Sequence, residues 1–113
     1  MIIKQEKYGE INGKLSVCCF TLKNNHGTEV KILNYGGIIT SIKTLNKKGH
    51  IENIALGYNS LQQYIDDNSY FGAIIGRYGN RIANGTFSLD DTHYSLVKNN
   101  GTNHLHGGAI GFD

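Results

Sequence analysis

The feature that most constrains this chain is the near absence of a sustained helical hydrophobic repeat. In its place, apolar and polar residues alternate over short runs, each bounded by turn residues. Alternation puts successive side chains on opposite faces of a strand, so the chain is predicted to be all-β. The sharpest local mark is Asn12-Gly13. A type I′ hairpin turn needs positive φ at both central residues, and Asn-Gly supplies it at low steric cost.

Leu15 to Leu22 is predicted as a strand, Lys23 to Gly27 as a turn, and Glu29 to Tyr35 as the next strand. Alternation there sets Val30 and Ile32 on one face and Lys31 and Leu33 on the other. Gly36-Gly37 breaks that strand, and Ile38 to Leu45 forms a third. Val30, Ile32, Ile38 and Ile42 are expected to point inward. Ile51 to Leu56 is a short apolar run, and Asn59 to Tyr64 is the one plausible helical turn, with Asn59 or Ser60 as its N-cap. Asp66 to Ser69 reads as loop, and Phe71 to Ile75 as a buried, glycine-containing segment. Arg81 to Ala83 is expected to pair with Thr86 to Leu89 across Asn84-Gly85. Asp90-Asp91 then turns the chain into Thr92 to Val97. The pattern is an antiparallel sandwich or barrel with strands roughly every 8–12 residues.

Composition excludes several classes. The chain has 113 residues, with 11 Lys and Arg against 9 Asp and Glu. The densest basic spot, Lys47-Lys48, reads as a solvated turn, so neither nucleic acid nor a membrane surface is expected as partner. No apolar run approaches the ~20 residues of a membrane span. The first seven residues lack a leader's continuous apolar stretch, which points to the cytoplasm. Asn84-Gly85-Thr86 and Asn100-Gly101-Thr102 match the glycosylation pattern, which a chain that is not secreted would not use. The two cysteines, Cys18 and Cys19, are adjacent and are read as strand residues facing opposite sides of a sheet.

Two segments could carry chemistry. Gly76 to Gly85 places Arg77 and Arg81 among glycines and apolar residues. Arginine offers a rigid fan of donors and no acceptor, suited to hydroxyl and carboxylate oxygens. The plainer explanation is one arginine paired with a carboxylate and the other solvated. Asn100 to Gly108 carries His104-Leu105-His106 followed by two glycines, which let backbone approach a ligand closely. His-x-His also invites a metal reading with His93 as a third ligand, but nothing in the spacing supports it. His93 is expected to point outward and His104 to sit on the surface. Asp66, Asp67, Asp90 and Asp91 are explained by turn composition.

Taken together, Asn80-Arg81-Ile82 inside Gly-Arg-x-x-Asn-Arg-Ile, then Asn103-x-Leu105-His106-Gly107-Gly108, then Gly111-Phe112-Asp113, resemble the signatures of the aldose 1-epimerase family in the right order. Asn34-Tyr35-Gly36-Gly37 and the Asn53 to Tyr64 segment are also similar to that family. Gly79 stands where members more often carry alanine, and His104 at a position the family varies. The resemblance implies a large β-sandwich of the galactose mutarotase type that interconverts the α and β anomers of galactose, glucose and related aldoses. It implies no cofactor and no metal. It casts His106 as the first active-site histidine, near the sugar's ring oxygen, with Asn80 and Arg81 on sugar hydroxyls and Arg77 in a structural role. The family's base is a late glutamate and its main acid a second histidine, and both would lie after Asp113. Residues 1–113 are therefore expected to be the N-terminal part of a single domain, cut short at the C-terminal end. Rival readings are a non-catalytic carbohydrate-binding sandwich, a metal-binding barrel using His104 and His106, and a purely structural β domain.

Overall fold

The structure is a computed structural model that describes residues 1–67 and 69–113. Asn68, expected in the loop from Asp66 to Ser69, lies outside the described residues. The chain is mostly antiparallel β with little helix, as alternation requires, and it divides into two compact units.

The first unit comprises Met1–Ile74 with Asp113. Five strands form an antiparallel meander in sequence order: β1 Ile2–Ile11, β2 Leu15–Lys23, β3 Glu29–Leu33, β4 Ile39–Leu45 and β5 Ile51–Asn53. Asn12 (φ 52°) and Gly13 (φ 64°) close the β1–β2 hairpin in the left-handed conformation that their types favour. Alternation alone did not identify β1, because its middle, Lys4 to Lys7, is wholly polar and exposed. Beyond Asn53 the run expected to reach Leu56 leaves the sheet. There the Asn53 Oδ1 accepts from the Ile42 and Ala55 backbone N–H groups at 2.9 and 3.2 Å, and the Ile54 N–H makes a last backbone bond to the Ile42 carbonyl at 2.8 Å.

Helix α1, Leu61–Asp66, forms where the one helical turn is predicted. Ser60 is its N-cap, with the hydroxyl accepting from the Gln63 N–H. Leu61 and Tyr64 join Val17, Cys19, Leu33 and Ile38 in the core. The alternation in β3 holds, and within this unit it is the Leu33 face that is covered. Leu33 is the fully buried residue, opposite Cys19, while Val30, Ile32 and Ile42 are only half-buried. The reason is that Leu61 and Tyr64 cover the Leu33 face. Ile38 is buried as expected, just before β4. Cys18 and Cys19 are both free, with Cys19 in the core and Cys18 half-buried on the opposite face. The stretch from Phe71 to Ile75 is not buried. Ile74 and Ile75 are each more than half exposed, and the backbone of the segment docks instead, through Ile39 N–H to the Gly72 carbonyl and Ile74 N–H to the Gly36 carbonyl.

The second unit, Ile75–Phe112, holds four short strands in two ribbons. These are β6 Arg81–Ile82, β7 Thr86–Leu89, β8 Thr92–Ser95 and β9 His104–Leu105. The expected hairpin from Arg81 to Leu89 does not form. Ala83–Gly85 makes a 3₁₀ turn with Asn84 at φ 57°, and β6 pairs with β9 instead. β7 finds its partner in β8, across Asp90 (φ 45°) and Asp91 (φ 61°). Aspartates tolerate this left-handed turn, which explains their placement.

In the first unit's core, Tyr8 and Tyr35 pack against the buried cluster, and burial pushes both phenols above the ordinary tyrosine range. The folded state therefore holds these protons more tightly than the unfolded chain. Their contribution to stability is present below the ordinary tyrosine pKa and is lost as pH rises through the raised values. Denaturant melts of the full-length protein above pH ~10 should show falling stability, with Tyr8→Phe, Tyr35→Phe reducing that slope. An unchanged slope in the double variant would remove these phenols as the cause.

Candidate functional site

The two signature segments meet in the second unit. Arg81 pairs with Leu105 and Ile82 with His104 in the β6–β9 ribbon, so Asn80 and His106 lie just outside it on facing strands. Both leave the strand conformation, Asn80 at φ 63° and His106 at φ 53°. Left-handed backbone is uncommon for residues other than glycine, although Asn and His are among those enriched there.

Two hydrogen bonds join the pair. The His106 N–H donates to the Asn80 carbonyl at 3.0 Å, and the Asn80 N–H donates to His106 Nδ1 at 2.8 Å. A backbone N–H can only donate, so Nδ1 must present its lone pair. The proton of the neutral ring then sits on Nε2, which becomes a donor on an exposed side chain.

Arg81 is held by asparagines. Its Nε donates to Asn100 Oδ1 at 2.9 Å, and Nη1 reaches Asn80 Oδ1 at 3.4 Å. Among the described residues no carboxylate pairs with Arg77 or Arg81. The arginine pattern is thus not explained by an ion pair. Arg77 lies 5.8 Å over the Phe112 ring centroid, a contact within the second unit that suits a structural role.

The segment from Asn99 to Asn103 scaffolds this arrangement, a function its turn-like composition concealed. Asn103 Oδ1 accepts from the Asn84 N–H at 3.2 Å. Asn99 Oδ1 accepts from the Leu105 N–H at 2.8 Å, and its Nδ2 donates to the Leu105 and Gly108 carbonyls, each at 2.9 Å. The signal available in sequence was three asparagines within five residues, next to a histidine.

His104 is not on the surface. It is 5% exposed, with Nδ1 at 2.8 Å from the Val97 carbonyl. A carbonyl can only accept, so Nδ1 carries the proton there. With Ile82, its partner across the ribbon, His104 lines a cavity of about 470 Å³ together with Arg77, Tyr78, Phe87 and Phe112. None of Asn80, Arg81 and His106 lines that cavity. His93 is exposed on β8 as expected, within 3.3 Å of the Ser88 hydroxyl. Among the described residues, no three His, Cys, Asp or Glu side chains gather as a metal-binding group.

Gly107 (φ 91°) and Gly108 (φ 106°) follow His106. A Cβ on Gly107 would run into the Gly76 carbonyl, and one on Gly108 would lie 3.0 Å from His104 Cε1. Gly107→Ala should therefore displace the turn that carries His106. The expected cost is about 1–3 kcal/mol of stability for the left-handed backbone alone, more with the clash. Denaturant unfolding of the full-length variant measures it, and a loss below about 0.5 kcal/mol would mean the backbone does not need glycine there.

Comparison with known proteins bears on this geometry. The family model described as Aldose 1-epimerase matches residues 18–113. The galactose mutarotase of Sus scrofa is 38% identical over 112 residues, covering 98% of this chain and 32% of that protein. The aldose 1-epimerase of Escherichia coli (strain K12) is 39% identical over 93 residues, covering 82% of this chain and 27% of that one. Among solved structures, the galactose 1-epimerase from Lactobacillus acidophilus NCFM superposes with a TM-score of 0.78 at 32% identity, over 98% of this chain and 31% of that chain. The chain thus spans about a third or less of the length of these relatives. With a family match over most of its residues and the fold of a solved galactose 1-epimerase, this chain belongs to the aldose 1-epimerase family.

Proposed function

We propose that the protein to which this chain belongs interconverts the α and β anomers of galactose- or glucose-type aldoses in the cytoplasm, as part of hexose metabolism. Residues 1–113 are read as the N-terminal part of a single epimerase domain that extends beyond Asp113. The observation that carries the reading is the mutual bonding of Asn80 and His106, which leaves His106 Nε2–H as an exposed donor while Asn80 Oδ1 also meets Arg81 Nη1.

The chemistry follows from that donor. Anomer exchange begins when a base removes the C1 hydroxyl proton. The electron pair forms the C1 carbonyl, the bond from C1 to the ring oxygen breaks, and the ring oxygen takes up a proton. Rotation about the bond from C1 to C2 presents the other aldehyde face, and the same steps in reverse close the ring. An Nε2–H donor suits the ring oxygen, where negative charge develops. Asn80 and Arg81 offer an amide and a fan of donors for sugar hydroxyls. The base and the principal acid are assigned to residues beyond Asp113, a glutamate and a second histidine by family resemblance. The ring bond that breaks is re-formed and nothing is oxidised, reduced or transferred, so acid–base groups suffice and no cofactor is needed.

In the full-length protein, His106→Ala should lower kcat by about 10²-fold or more, as expected for one acid–base group. Arg81→Ala should impair turnover without unfolding the protein. Polarimetry on fresh α-galactose is the assay, and near-normal turnover by His106→Ala would remove this histidine from the mechanism. Sugar binding without any anomer exchange in the unaltered protein would favour a non-catalytic carbohydrate-binding role instead.

Residues 1–113 expressed alone should neither catalyse anomer exchange nor fold as a stable monomer. His106 cannot both supply a proton to the ring oxygen and remove one from the C1 hydroxyl in the same step. Ile2, Ile3, Ile54, Leu56 and Ile110 are also each more than half exposed. Each such side chain left in water forgoes roughly 1.5–3 kcal/mol of burial. A few of them rival the whole ~5–15 kcal/mol stability of a domain. Size-exclusion chromatography with circular dichroism tests the folding half, and a monomer with a sharp cooperative melt would defeat it. Anomer exchange above the buffer rate, abolished by His106→Ala, would defeat the catalytic half.

A further inference from the structure

We propose that the Asn99 carboxamide is the positioning residue that holds the His106 ring in one orientation and one tautomer, a role that rests on reading His106 as the donor to the sugar's ring oxygen. His106 occupies the first central position of a turn from Leu105 to Gly108, closed by the Gly108 N–H on the Leu105 carbonyl at 3.0 Å. Three successive residues of this turn have positive φ: His106 at 53°, Gly107 at 91° and Gly108 at 106°. The two glycines adopt that backbone freely, but His106 does not. A non-glycine residue persists there only where its surroundings over-determine it.

Asn99 supplies that constraint. One planar amide grips the residue before His106 at both its N–H and its carbonyl, and also grips the carbonyl two residues after it. An asparagine side chain has two donors and two lone pairs, and three of these four are engaged with this turn. Among the described residues no other side chain bonds the backbone of Leu105 or Gly108. Each Asn99 contact is to backbone, so it acts on the sugar only through His106.

Without this grip, the backbone at His106 can relax to negative φ, which redirects the bond from Cα to Cβ and carries the ring away from the Asn80 N–H. Nδ1 then loses the contact that fixes its lone pair. The proton can occupy either nitrogen, and Nε2 is no longer held as a donor.

The test uses the full-length protein labelled with ¹⁵N-histidine, together with Asn99→Ala and Asn99→Asp. The aspartate keeps the acceptor for the Leu105 N–H and the side-chain volume but loses both donors, so it carries the test if the alanine variant does not fold. The unaltered protein should show a pyridine-type Nδ1 and a pyrrole-type Nε2 at His106. A mixture of tautomers there would overturn the proposal before any variant is made. In the variants the two ring shifts should move toward each other. Their kcat, measured well below the melting temperature, should fall about 10-fold or more, as for a reacting group displaced by ~1 Å. A purely structural role would lower the melting temperature and leave both readouts alone. A folded variant that keeps the single tautomer and a kcat within about twofold of normal overturns the proposal. Loss of the fixed tautomer in a protein with no anomer exchange would sustain the positioning role and defeat only the epimerase reading.

Discussion

The candidate site depends on the pairing of Asn80 with His106. These residues lie 26 apart in sequence, and each offers its backbone N–H to the other. The ribbon between them contributes only two residue pairs, and an isolated two-stranded ribbon is marginal in water. Its register must therefore be held from outside. Asn80 and His106 close one end, Asn99 and Asn100 bond to Leu105 and Arg81 within the strands, and Asn103 bonds the 3₁₀ turn that follows β6. A polar side chain that bonds backbone can direct a loop without a large apolar core, because the geometry of each bond is specific. This is how a segment rich in glycine and asparagine comes to present one imidazole in a defined state.

Much of the fold was legible in the sequence because its turns are made by residues with narrow conformational reasons. Asn12-Gly13 states its hairpin outright, and Ser60 caps its helix as such a hydroxyl should. Legibility failed where two turn signals competed. Asn84-Gly85 and Asp90-Asp91 both suit left-handed turns, and all four residues adopt positive φ. The first lies inside a 3₁₀ turn and the second makes the hairpin, a choice settled by the pairing of β6 with β9, remote in sequence. Which face of β3 packs on the helix was not legible for a similar reason. Val30 and Ile32 look as apolar as Leu33, and only the position of α1 decides which face is covered.

The residue types of the candidate site were legible, but their geometry was not. Asn80, Arg81 and His106 were identified through a family resemblance, and they do gather in one place. Sequence could not reveal that Asn99 grips the turn around His106. Asparagine is commonplace in loops, and its significance here lies in three bonds to residues six and nine positions away.

His104 and His106 show why a His-x-His pattern does not by itself specify a metal pair. Two residues apart in a regular strand, their side chains would point the same way. The positive φ of His106 ends the strand, leaving His104 buried and His106 exposed. Their protons also differ. His104 Nδ1 faces a carbonyl and must carry its hydrogen, so its Nε2 keeps a lone pair. His106 Nδ1 faces an N–H and must keep its own lone pair, so its Nε2 carries the hydrogen. In a neutral imidazole one nitrogen donates and the other accepts, and a metal binds only the accepting one. The accepting nitrogen of His106 is already occupied by the Asn80 N–H. The same hydrogen bond that disqualifies this ring as a ligand fits it to give a hydrogen to an oxygen.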